Sequence, residues 1–206
     1  MVGLEEIISW LKNFRQRLEA NKDYLTRLDS AIGDADHGMN MCRGFNAAVA
    51  EIEEKNPANI AEALKSVSMI LIKKVGGASG PLYGTFFLKA SGAAKNAESL
   101  NADGILEIFK AGVEGIQLRG KARLGDKTML DAWFPALEAM ENTKDSGVGP
   151  MIQAAAAAAE KGMKATIPLI ARKGRASYLG ERSKGHQDPG ATSTCLLLQA
   201  AAELWS

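Results

Sequence analysis

Apolar residues recur every three or four positions along most of this chain, and no segment shows the two-residue alternation of a β-strand. Near the start, for example, Ile7, Leu11 and Leu18 fall on one helical face. The same spacing predicts helices over Glu5–Glu19, Asn21–Leu28, Asn40–Glu53, Asn59–Val75, Leu82–Asn96, Asn101–Leu118, Thr128–Glu141, Gly147–Ala165 and Gly190–Trp205. The pattern therefore predicts an all-α fold of about eight helices.

Most connections between the predicted helices are short, so sequential helices should lie antiparallel and side by side. Amphipathic helices linked in this way can close into a ring, because each buries one apolar stripe against a common axis. If the two short N-terminal helices count as one up-and-down pair, four polar, glycine-rich loops emerge at the same end: Asp29–Gly38, Gly76–Pro81, Gly120–Lys127 and Ala171–Pro189. We therefore expect these four loops to meet at one rim.

Composition excludes several classes of protein. At 206 residues and 21.9 kDa the chain is long enough for one domain, and we expect a single unit over residues 1–206. A net charge of +1 gives no electrostatic reason to expect nucleic acid or membrane as a partner. Cys42 and Cys195 fit a reducing compartment better than a disulfide framework. Because Glu5 and Glu6 interrupt any signal-peptide core, we expect a cytoplasmic protein.

Three aspartates, Asp29, Asp34 and Asp36, fall within eight positions and have no lysine or arginine between them. Carboxylates folded together repel one another unless a cation joins them, and a hard divalent ion is the natural partner. Turn and N-cap aspartates are an equally good interpretation of the spacing alone. An EF-hand is excluded, because Gly38 stands where a third oxygen ligand belongs and no glutamate closes the loop.

Two more loops offer groups that suit a phosphate. The small residues of Gly76–Pro81 would let backbone N–H groups approach an anion at a helix start, although an ordinary helix–helix turn explains them equally well. Gly120–Lys127 and Ala171–Pro189 are basic, and taken alone a solvated loop is the simpler interpretation. No established nucleotide-binding motif is present. The residues by themselves therefore predict only an all-α protein that binds Mg²⁺ and phosphate.

Histidine and methionine add less specific signals. His37 and His186 are the only histidines, and each is more economically a hydrogen-bonding residue of the site than a phosphoryl carrier. Met39 and Met129 flank the loops and could line an apolar slot for a base, although methionine more often fills a core. A serine or cysteine nucleophile is not indicated, because no plausible triad accompanies one.

Four motifs in sequence order identify a family. They lie within Ile32–Asn40, which reads Ile-Gly-Asp-Ala-Asp-His-Gly-Met-Asn, and within Gly76–Thr85, Arg119–Met129 and Ala171–Ala191. Together they resemble the nucleotide-binding L subunits of dihydroxyacetone kinases, over nearly the whole chain. The resemblance implies a closed antiparallel eight-helix barrel with the nucleotide site on the loops at one rim.

The resemblance also implies ligands for these loops. Asp29, Asp34 and Asp36 would hold two Mg²⁺ ions that bridge the phosphates of ADP or ATP, and no certain catalytic side chain is implied. Ala78 and Ser79 would cradle phosphate, and Gly120 would flank the nucleoside. The full set implied to contact the nucleotide is His37, Gly38, Met39, Asn40, Ala78, Ser79, Gly120, Thr128, Met129, Arg175, Asp188, Pro189 and Gly190.

The activity implied by the resemblance is phosphoryl transfer within a complex. A phosphohistidine-carrying M subunit of the sugar phosphotransferase system would phosphorylate bound ADP, and the phosphoryl group would then pass to dihydroxyacetone on a K subunit. We expect a homodimer or a member of such a complex. Two alternatives stay open: a directly ATP-dependent kinase with exchangeable nucleotide, and a nucleotide-loaded partner of a transcription regulator.

Overall fold

A computed structural model describes residues 1–206 and contains nine α-helices and two 3₁₀ helices, which confirms the all-α prediction. The α-helices are α1 Leu4–Ala20, α2 Lys22–Ile32, α3 His37–Lys55, α4 Ile60–Lys74, α5 Ser79–Ala93, α6 Ala102–Gly120, α7 Leu130–Thr143, α8 Val148–Ala165 and α9 Pro189–Leu204. The nine predicted ranges correspond to these nine α-helices, including the separate α1 and α2 that are divided at Asn21, so the structure has one helix more than the predicted total of about eight. No helix combines the length and the apolar character that crossing a membrane requires.

Each helix from α3 onward packs against the next one along the chain, as the short connections predict. The first helix, α1, contacts both α9 and α3, so the N-terminal end of the chain lies beside its C-terminal helix. An isolated backbone pairing of Val2 with Leu100 fixes the start of the chain against the segment before α6. These contacts place α1 between the last helix and the third.

Aromatic side chains pack the interior between the helices. Trp10 lies fully buried with its ring centroid 5.7 Å from that of Phe109, and its Nε1–H donates to the carbonyl of Leu197 at 2.9 Å. Phe86 stacks on Trp133 with centroids 4.9 Å apart. Tilted and stacked aromatic contacts of this kind are favourable in addition to the apolar area that they bury.

Both cysteines lie in this buried part of the molecule as free thiols. Burial is the main cause that raises the pKa of Cys42 and of Cys195 to about 11. Since the thiolate is the reactive form, these two thiols are inert at neutral pH. The sequence-based interpretation that neither cysteine is a nucleophile agrees with their positions.

The segment Ala171–Pro189, predicted as a long polar loop, is folded more tightly than expected. Residues Arg175–Ser183 form 3₁₀ turns that are kinked at Gly180. The buried ammonium of Lys127 holds the segment, because it donates to the carbonyl oxygens of Ser183 at 2.7 Å and Leu169 at 3.0 Å. Burial lowers the pKa of Lys127, and the charge of Asp188 partly opposes this.

Removing the ammonium group of Lys127 should destabilise the fold. We expect Lys127→Met to lower the free energy of unfolding by about 2 kcal/mol, because carbonyl oxygens lose a charged donor. Urea denaturation followed by circular dichroism measures the change. The exposed Lys65 of α4 supplies the control, since Lys65→Met should stay within about 0.5 kcal/mol of the parent. Equal stability of the parent and Lys127→Met would contradict the stabilising role of the Lys127 hydrogen bonds.

Candidate functional site

All four polar loops meet at one cavity of about 360 Å³. Its size is within the ordinary range for a small-molecule site. Twenty-six residues line it. Those that the sequence predicted as site residues are Asp29, Asp34, Asp36, His37, Ala78, Ser79, Gly120, Thr128, Met129, Arg175, Asp188, Pro189 and Gly190. Thirteen of the predicted residues therefore lie around one space, although they come from distant parts of the chain.

The three aspartates converge at this cavity. One carboxylate oxygen from each of Asp29, Asp34 and Asp36 lies within 4.8 Å of the others. The only ion pair in the group joins Asp34 Oδ2 to Arg175 Nε at 2.9 Å, and Asp36 has none. Three hard oxygen donors with so little compensating charge fit a divalent cation of the Mg²⁺ type.

Asp29 is fixed before any ligand arrives. Its Oδ2 accepts the backbone N–H of Asp36 at 2.8 Å and of His37 at 3.0 Å. These are N–H groups at the first turn of α3, which has no capping bond from Asp36, its own N-cap residue. Position 33 has room only for glycine, because a Cβ there would lie 2.0 Å from Asp29 Oδ1. The carboxylate of Asp36 is therefore left free to face the cavity.

Three predicted contact residues do not line the cavity. Gly38 instead allows α3 to approach α2, since a Cβ would lie 2.1 Å from the carbonyl oxygen of Lys22. Met39 is 57% exposed on the outside of the first turn of α3. Asn40 is buried and its Oδ1 accepts from Arg43 at 2.6 Å. In this structure the three residues shape the start of α3 rather than the cavity wall.

His37 lies between two serine hydroxyl groups. Its Nδ1 is 3.0 Å from Ser79 Oγ, and its Nε2 is 3.0 Å from Ser193 Oγ. Burial lowers the pKa of His37 to about 4, although the nearby Asp36 charge opposes the shift. The ring is therefore neutral at pH 7. His186, the other histidine, is exposed and does not line the cavity.

The opposite wall is built by the loop before α7 and the start of α9. Asp131 holds the loop, because its carboxylate accepts the backbone N–H groups of Gly125 at 2.6 Å and Thr128 at 2.7 Å. At the start of α9, Asp188 accepts the N–H of Ala191 at 2.6 Å and so caps the helix. Asp131 and Asp188 therefore order the wall rather than compete for cations at its surface.

Asp188 itself is buried, and the pKa of its carboxyl group is raised. Burial is the largest cause that raises its pKa to about 7, and the hydrogen bond from Ala191 opposes the shift. The charge of Asp131 raises the pKa further, whereas that of Lys127 lowers it. This carboxyl group is consequently only partly ionised near neutral pH.

The cavity combines cationic and apolar surfaces. Arg119, Lys173 and Arg175 supply the positive charge. Leu82, Ile116, Ala122, Met129 and Leu130 supply an apolar lining. A ligand with a charged phosphate end and a flat apolar end matches this distribution. Phosphate groups also suit the start of α5 at Ser79, where no side chain caps the first backbone N–H groups.

Several residues in and around the site were not predicted from the sequence. Arg119 and Tyr83 lie inside the motifs that identify the family, so their position next to predicted site residues could have indicated them as site residues. Asp131 lies two residues beyond the motif that ends at Met129, and Ser193 lies between Thr192 and Thr194 in the predicted last helix. Nothing in the spacing of the last two distinguishes them from structural positions.

Comparison with known proteins gives the family. The DAK2 domain profile matches residues 31–203. The chain is 45% identical over 199 residues to the PEP-dependent dihydroxyacetone kinase, ADP-binding subunit DhaL of Escherichia coli (strain K12), covering 96% of this chain and 95% of that protein. Over 204 residues it is 45% identical to the PTS-dependent counterpart of Lactococcus lactis subsp. lactis (strain IL1403), covering 99% of each.

The fold has a counterpart among solved structures. The native dihydroxyacetone kinase of C. freundii superposes with a TM-score of 0.75 at 24% identity, covering 96% of this chain and 34% of that longer chain. A second structure of that kinase, in complex with AMP-PNP and Mg²⁺, gives a TM-score of 0.73. The sequence matches confirm the resemblance drawn from the motifs. This chain belongs to the DAK2 family and, within it, to the DhaL subunits of dihydroxyacetone kinases.

Proposed function

We propose that this chain is the ADP-binding subunit of a dihydroxyacetone kinase driven by phosphoenolpyruvate through the sugar phosphotransferase system. The observation that carries the proposal is the convergence of Asp29, Asp34 and Asp36 within 4.8 Å at a cavity that also presents cations and apolar side chains. Relatives of the same length and 45% identity carry this description in two bacteria.

The proposed division of labour in the site follows from its charges. The three aspartates would hold Mg²⁺, which when bound neutralises charge on phosphate oxygens. The uncapped backbone N–H groups at the start of α5, together with that of Gly190 at the start of α9, would receive phosphate oxygens, and Arg175 would close over them. Met129 and Leu82 would contact the base. Phosphoryl transfer needs little more from a protein than such positioning.

Several finer features belong to the same proposal. The helices would form a closed antiparallel eight-helix barrel that presents the nucleotide on the loops at one rim, with two Mg²⁺ ions between aspartates and phosphates. The nucleotide would stay bound as a coenzyme. The phosphoryl group would pass from a phosphohistidine of the M subunit to bound ADP, and then to dihydroxyacetone on the K subunit.

Removing one carboxylate should release the nucleotide. We expect Asp36→Asn to lower Mg²⁺-dependent ADP affinity by at least about tenfold, because one hard ligand to the cation loses its charge. Isothermal titration of ADP with and without Mg²⁺ measures the loss. In the matched control, Asp145→Asn changes an exposed aspartate outside the cavity and should bind as the parent does. Equal affinity of Asp36→Asn and the parent would remove the metal assignment.

Bound nucleotide should behave as a coenzyme. Denaturing extraction of freshly purified, desalted protein is expected to release about one ADP per chain, since the charged ligand would be held at several points of the cavity. Radiolabelled phosphoenolpyruvate, supplied with the phosphohistidine relay, should then convert that ADP to ATP on the protein. A nucleotide that washes out and exchanges freely with ATP would instead indicate the directly ATP-dependent kinase.

A further inference from the structure

A continuous chain of polar side chains runs from the cavity wall into the protein interior. It begins at Ser79, passes through His37 to Ser193, and ends where Tyr83 Oη lies 2.8 Å from Ser193 Oγ and 3.2 Å from Thr194 Oγ1. Ser79, His37 and Tyr83 line the cavity, whereas Ser193 and Thr194 are fully buried behind it. A buried chain of this kind constrains the direction in which each hydroxyl group donates.

The hydroxyl proton of Ser193 sets the direction of the hydrogen bonds along this chain of side chains. Its Oγ has three neighbours: His37 Nε2 at 3.0 Å, Tyr83 Oη at 2.8 Å and the carbonyl oxygen of Gly190 at 3.1 Å. A carbonyl can only accept, so all three contacts are satisfied only when Ser193 donates to Gly190 and accepts from the other two. Nε2 of His37 then carries the proton of the neutral ring.

The opposite arrangement is less favourable. If Ser193 donated to Nε2, no hydrogen would lie between its oxygen and the Gly190 carbonyl, and this partly buried carbonyl would lose its side-chain donor. With the proton on Nε2, Nδ1 of His37 is an acceptor. The hydroxyl group of Ser79, 3.0 Å away, must then donate inward to Nδ1.

We propose that Ser193 is a positioning residue that keeps the proton of His37 on Nε2, so that Ser79 turns only oxygen lone pairs toward the cavity. An oxygen presented in this way takes a cation or a cation-bound water, and it does not donate to a phosphate. Phosphate contacts of this turn fall instead to backbone N–H groups at the start of α5. The inference rests on the proposed function, because it assigns the chemistry of one contact in that site.

Nitrogen NMR of the histidine rings tests the central step without any ligand. The chain has two histidines, so ¹⁵N-histidine labelling of the full chain gives two rings, and the exposed His186→Gln assigns the other signal to His37. We expect a protonated Nε2 and an unprotonated Nδ1 at neutral pH. A proton on Nδ1, or on both nitrogens, would overturn the inference whether or not the protein binds ADP.

The variant Ser193→Ala tests the positioning role in solution. In this variant we expect a larger fraction of His37 to carry its proton on Nδ1. We expect the affinity for ADP with Mg²⁺ to fall about three- to tenfold, the usual effect of losing one buried hydrogen bond. The matched control is Ser91→Ala, which removes a buried hydroxyl that donates to the carbonyl of Ala61, away from the cavity. It should lose stability without altering the His37 signals or the affinity.

Two outcomes of this comparison reject the role of Ser193. One is a Ser193→Ala protein whose His37 tautomer and ADP affinity match the parent. The other is an equal loss of affinity in Ser91→Ala, which would assign the effect to stability alone. Absence of ADP binding in the parent would count against the proposed function and leaves the NMR result as the measure of the tautomer.

Discussion

The site depends on one hydrogen-bonding arrangement, in which the carboxylate of Asp29 caps a helix to which it does not belong. Asp29 stands near the end of α2, and its Oδ2 accepts the first backbone N–H groups of α3. The aspartate that formally precedes α3, Asp36, makes no capping bond. One buried carboxylate thus satisfies the helix start and leaves a second one available to a ligand. The turn between α2 and α3 brings the charges together because the backbone is tied to one of them.

The residues that stabilise the core are different from the residues that form the site. The interior is packed by aromatic rings such as Trp10, Phe86 and Trp133, and the titratable groups of the site stand at the loops. The loops are nonetheless ordered by buried polar groups of their own. Lys127 holds the 3₁₀ segment through carbonyl oxygens, and Asp131 holds the turn before α7. Because Lys127 and Asp131 are already engaged in these hydrogen bonds, the other charges at the cavity are the ones left to recognise a ligand.

Preorganisation of this kind suits phosphoryl transfer. The reaction is accelerated by fixed charges and dipoles rather than by covalent chemistry from the protein. His37 illustrates the principle, because a neutral buried imidazole between two hydroxyl groups can direct protons without carrying charge into the site. The assignment of Ser193 extends this order by one residue beyond the cavity wall. The DhaL subunits of E. coli and L. lactis, at 45% identity, offer natural comparisons for it.

The spacing of apolar residues was enough to assign the helical class and most helix positions, because this period depends on local geometry alone. The sequence also determined the family, since four motifs in order leave few alternatives. The order of packing could be predicted from short connections, and with it the meeting of four loops. Thirteen of the sixteen predicted site residues line the cavity for that reason.

Which residues of a motif face the ligand cavity depends on how the helices pack, and the sequence pattern could not show it. Gly38, Met39 and Asn40 adjoin His37 in sequence, yet a helix turns successive side chains by about 100°, and α2 occupies the space beside Gly38. The folded path of Arg175–Ser183 depends on Lys127, which lies far away in sequence. The pairing of His37 with Ser193 spans 156 positions and has no local signature. Such contacts depend on how helices pack, and local sequence periodicity carries no information about them.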